Sequence, residues 1–102
     1  MIQKFIITLH VPLGNRKGIL TIENKNGIIN GNLDIFGITH PFTGNCSKDG
    51  NIKLSGKITS AVCTFSYTAK GKITKDGINL AAVGERYKFT ITGEEISKEE
   101  EI

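Results

Sequence analysis

The sequence predicts an all-β domain: an eight-stranded antiparallel up-and-down meander closed into a small barrel. Three observations carry this. In the stretch from Cys63 to Ile73, Cys63, Phe65, Tyr67, Ala69, Gly71 and Ile73 alternate with Thr64, Ser66, Thr68, Lys70 and Lys72. A period of two over that length is a strand with one dry and one wet face, the form antiparallel sheets take when one side meets water. Next, Asn26-Gly27, Asp49-Gly50 and Asp76-Gly77 stand between alternating runs, and such pairs supply the positive φ of tight hairpins. Finally, Gly31, Gly44, Gly56, Gly71, Gly84 and Gly93 each lie two residues beyond an apolar residue. Each strand from the third to the eighth therefore has one glycine on its inward face, where it lets the sheet coil and close. A two-layer β-sandwich is the alternative, because the same alternation would serve two facing sheets. Short connections favour the meander.

In chain order, the first strand spans about Gln3 to Val11, with Phe5, Ile7, Leu9 and Val11 inward, and Pro12-Leu13-Gly14-Asn15 forms its turn. Lys17 to Glu23 follows with Leu20 and Ile22 inward, then Ile28 to Phe36 with Ile29, Gly31, Leu33 and Ile35 inward. The fourth strand turns Ile38, His40, Phe42, Gly44 and Cys46 to one side, and Pro41 among the opposite set marks an edge or a bulge, since it has no N–H to donate. Ile52, Leu54, Gly56 and Ile58 define the fifth strand, Cys63 to Ile73 the sixth, and Ile78, Leu80, Ala82 and Gly84 the seventh. Tyr87, Phe89, Ile91 and Gly93 face inward on the eighth. Residues 1–93 thus read as one barrel domain and residues 94–102 as an acidic, flexible tail.

Composition narrows the function classes. A chain of 102 residues without Trp is one domain and advertises no aromatic box. Cys46 and Cys63 have neither metal spacing nor a redox pair arrangement, so they read as reduced thiols and the compartment as cytoplasmic. The N-terminal apolar run is short and alternating, unlike a signal peptide, and no stretch reaches the length of a membrane-spanning helix. Twelve Lys or Arg against five acids leave residues 1–93 at +7, and five Glu against Lys98 leave residues 94–102 at −4, which together make the net +3. Lys53, Lys57, Lys70 and Lys72 share the outer face of strands five and six. No aromatic side chain stands among them, which argues against single-stranded nucleic acid as a partner.

The inward polar groups are few. Alternation points His40, Tyr67 and Tyr87 inside with Phe65, and a pocket lined by aromatics with a few placed polar groups suits a small apolar or aromatic ligand. An eight-stranded barrel has room either for that ligand or for its own side chains. The acids sit outward or in turns, two histidines without inward carboxylates make no zinc site, and no phosphate-cradling loop leads into a helix. No catalytic residue, metal site or cofactor is therefore assigned. Ile6, Ile19, Ile28 and Phe36 fall on the outward parity of strands one to three and suggest a homodimer contact.

The Pro12-Leu13-Gly14 turn, Lys17-Gly18-x-Leu20, the run from Gly27 to Gly31 and Leu33, and Gly37 with Pro41-Phe42-x-Gly44 resemble a group of small bacterial all-β domains. In architecture the pattern is similar to calycin-like barrels, the lipocalin, fatty-acid-binding and avidin kind, though shorter and without their ligand signatures. The likeness covers most of residues 3–93 through turn and packing signals. It implies a barrel and an association with flavin or nicotinamide oxidoreductases, and it supplies no catalytic residues. The expected function is non-catalytic binding of a small ligand in the barrel. The alternative is an interaction or regulatory module with a packed interior.

Overall fold

The computed structural model describes residues 2–12, 14–59, 63–85 and 88–96. Eight antiparallel strands, β1 (Ile2–Val11), β2 (Gly14–Lys25), β3 (Ile28–Ile35), β4 (Ile38–Cys46), β5 (Asn51–Thr59), β6 (Thr64–Thr74), β7 (Gly77–Gly84) and β8 (Lys88–Glu95), pair in sequence order. β8 then pairs back onto β1, from Phe5 opposite Glu95 to His10 opposite Thr90, which closes the barrel. The closed ladder rules out the sandwich alternative.

Alternation decides what the interior holds. Phe5, Ile7, Leu9, Leu20, Ile29, Leu33, Ile58 and Leu80 are essentially removed from water, and each such side chain contributes about 1.5–3 kcal/mol of burial free energy. Phe65, Tyr67 and Ala69 are buried on β6 while Thr64, Ser66, Thr68 and Lys70 are exposed. Cys46 and Cys63 are thiols, both half-buried against this core.

The inward glycines are points of close backbone approach. A Cβ at Gly44 would run into the Lys53 carbonyl across the β4–β5 ladder, and one at Gly71 into the Asn79 carbonyl across the β6–β7 ladder. The Phe42 ring lies over Gly31, with its nearest atom 2.7 Å from where a Cβ would stand. Only a residue without a side chain permits strands to coil this tightly.

The turns differ in detail from their sequence signals. Asn26 and Gly27 take φ of 55° and 88°, the double positive of a type I′ hairpin. Phe36 does not continue β3. It pairs with Gly37 in a second such turn, at φ 59° and 71°, where a bulky residue is strained. Gly14 and Asn15 belong to β2, opposite Val11 and His10, so the first connection is shorter than the predicted turn. β8 continues past Gly93, because Glu94 and Glu95 pair with Ile6 and Phe5, and the Ile96 amide then donates to the Lys4 carbonyl at 2.9 Å. The expected flexible tail beyond that point, residues 97–102, lies outside the described residues, as does Tyr87.

Candidate functional site

The strand directions gather His40, Phe65, Tyr67 and Phe89 at one end of the barrel, the end that carries the Phe36–Gly37 turn and the β5–β6 connection. Of the four residues nominated from the sequence, His40, Phe65 and Tyr67 are brought together there, and all three are buried. Phe89 is the member the nomination omitted. Its ring sits 6.1 Å from that of Phe65 at 85° and 6.1 Å from that of Tyr67 at 60°, the edge-on and tilted arrangements aromatic quadrupoles favour. Its alternation had already marked it as inward, so the signal was present.

Tyr67 stands opposite Gly56 on β5 and Gly84 on β7. Its hydroxyl occupies the space left by the absent side chain of Gly56, 3.2 Å from where a Cβ would be. Among the described residues this hydroxyl has no hydrogen-bond partner, although no fully buried side-chain N or O there lacks one. Burial pushes the phenol up from 10.0 to about 12, because the phenolate loses its solvation. Tyr67 therefore keeps its proton throughout the physiological range and can donate a hydrogen bond.

His40 is engaged differently. β4 pairs with β3 along its whole length, but its ladder with β5 starts only at Phe42 opposite Gly56. Residues 38–41 thus form a local edge, and Pro41, with no N–H to offer, sits where that ladder stops. The His40 ring fills the opening. Nδ1 lies 3.0 Å from the Leu33 carbonyl oxygen and Nε2 lies 3.1 Å from the Thr59 carbonyl oxygen. Carbonyls only accept, so a neutral ring makes one of these bonds and a ring with two N–H groups makes both. The imidazole is a brace between β3 and β5, and it presents no spare nitrogen to a ligand.

The remaining sequence-nominated groups disperse. Ile6 and Ile19 face each other across β1 and β2, while Ile28 and Phe36 lie at opposite ends of β3, so the four make no single apolar patch. Ile38 shares the inward parity of His40 but is 39% exposed at the rim. Among the described residues no group of three or more His, Cys, Asp or Glu could hold a metal, and no helix is long and apolar enough to cross a membrane. Fold and site define the class, an all-β up-and-down barrel with an aromatic cluster at one mouth. Compared with known proteins, the chain matches no family model, no curated protein and no solved structure.

Proposed function

We infer that the chain is a non-catalytic binding protein whose ligand, a small apolar or aromatic molecule, is held at the aromatic mouth of the barrel. The single observation that carries this reading is the Tyr67 hydroxyl, largely but not wholly buried and without a hydrogen-bond partner among the described residues. A ligand acceptor placed there meets a donor that no protein group among the described residues engages, and Phe65 and Phe89 supply the apolar contact. The packed residues below, among them Phe5, Leu33 and Leu80, confine the ligand to this end. His40 sets the shape of the site through its two carbonyl contacts rather than by touching the ligand. The calycin-like likeness and the link to flavin or nicotinamide enzymes are consistent with such a ligand, and the thiol state of Cys46 and Cys63, without a disulfide between them, is consistent with a cytoplasmic location.

The test is thermal unfolding of the full chain against small aromatic compounds, flavins included, beside native mass spectrometry of protein from its own cells. A ligand that binds only the folded form raises the melting temperature with concentration. Tyr67→Phe should reduce that rise, and the absence of any stabilising compound or retained mass overturns the reading. A homodimer through β1 and β2 rests on the exposed Ile6 beside Ile19, and sedimentation showing a monomer at every concentration removes it.

A further inference from the structure

The charge of the barrel wall is segregated by strand. β4, β5, β6 and β7 contain no Asp or Glu, while β5 and β6 carry Lys53, Lys57, Lys70 and Lys72. All four lysines are exposed on the outer face. Lys53 stands directly opposite Lys70 in the ladder, with Lys72 opposite Asn51 and Lys57 opposite Ser66. Like charges directly opposite one another destabilise a sheet. Among the described residues the one ion pair joins Lys25 to Glu23, away from these strands, so no carboxylate relieves the Lys53–Lys70 repulsion. An open groove of about 550 Å³ passes over the two lysines, lined also by Asn45, Ser47 and Asn51. Ammonium groups, amides and a hydroxyl in one groove are what carboxylates require of a partner: charge and several hydrogen-bond donors.

We propose that this outer face of β5 and β6 docks an acidic polypeptide segment, rich in Glu or Asp, whose carboxylates lie between Lys53 and Lys70. The chemistry favours a peptide over the other polyanions. No Arg lies on β4 to β7, and Arg is the side chain that grips phosphate bidentately. No aromatic points outward on β5 or β6 to stack a base. The exposed large apolar residues Ile2, Ile6, Ile28, Phe36, Ile38 and Val83 all lie on other elements, so the face has nothing to insert into a bilayer. The site is separate from the mouth and stands whether or not a ligand binds beside Tyr67.

Titrating octaglutamate into the isotope-labelled full chain and following backbone amide resonances tests this. Shifts should be confined to β5, β6 and the Asn45–Asn51 connection. They should fade between low and physiological salt, as the Debye length shrinks to about 8 Å. The double substitution Lys53→Gln with Lys70→Gln should weaken binding about tenfold, and Lys4→Gln with Lys17→Gln on the opposite wall should leave it unchanged. Shifts spread over every lysine, equal weakening by the two double variants, or no shift at all overturn the proposal. Tighter binding of an oligonucleotide of the same charge to this face overturns it in favour of nucleic acid.

Discussion

Gly71 is the most exacting position in the wall. A methyl group there would lie 2.8 Å from the Asn79 carbonyl carbon and 2.8 Å from Leu80 Cα, with the carbonyl oxygen closer still. Non-bonded carbons rest about 3.5–4.0 Å apart, so β6 and β7 must part by roughly 1 Å around Gly71→Ala. That stretches the flanking N–H···O distances from about 2.9 Å to about 3.9 Å, beyond a hydrogen bond. Two ladder bonds at about 1 kcal/mol each, with about 1–3 kcal/mol of overpacking, oppose a gain of about 0.4–1 kcal/mol from the stiffer unfolded chain. The expected net destabilisation is therefore about 3 kcal/mol, read as a fall of more than about 1 M in the urea midpoint. Gly37→Ala is the control: nothing lies within 4 Å of its added methyl, and its φ of +71° alone should cost about 1–2 kcal/mol. A Gly71→Ala variant no less stable than Gly37→Ala would refute the reading of the inward glycines as points of backbone contact.

Two further outcomes are expected. The folded-state value of Tyr67, about 12, lies above its unfolded value of 10.0. Its contribution is therefore complete below pH 10 and is lost as pH rises towards 12, by about 2–3 kcal/mol in all at ~1.4 kcal/mol per unit. Urea unfolding at stepped alkaline pH should show that fall in the natural chain and a shallower one in Tyr67→Phe, and parallel profiles would sink the assignment. His40→Leu keeps the bulk but removes both ring nitrogens from the Leu33 and Thr59 carbonyls. It should destabilise by about 1–3 kcal/mol in the same assay, with partial recovery in His40→Gln; a fully stable Leu variant would show that the ring braces nothing.

Local chemistry made most of the wall legible. Alternation alone places Phe65, Tyr67 and Ala69 inside and Lys70 outside, because a pleated strand can only send neighbours to opposite faces. What depends on a partner strand was not legible. Glu94 and Glu95 look like the start of a charged tail, yet closure onto β1 gives their backbones partners at Ile6 and Phe5. Phe36 carries no left-handed preference, so only the neighbouring Gly37 signalled that turn. His40 could be assigned inward, but its role follows from where the β4–β5 ladder stops, a matter of register between strands. Alternation marks Tyr67 as polar and inward. That its hydroxyl would rest over Gly56 required the β5–β6 register as well.

The short β4–β5 ladder gives this barrel a seam. A closed cylinder has no free rim along its length, but a cylinder joined to itself unevenly has a place where it would first be unzipped. Here that place is fastened by a side chain rather than by backbone pairs, and so it can loosen without dismantling either adjoining hairpin. Were it to part, the lip exposed on β4 would include Pro41, which offers a foreign strand no amide to grip. The weakest line in the wall is thus also poorly suited to templating aggregation.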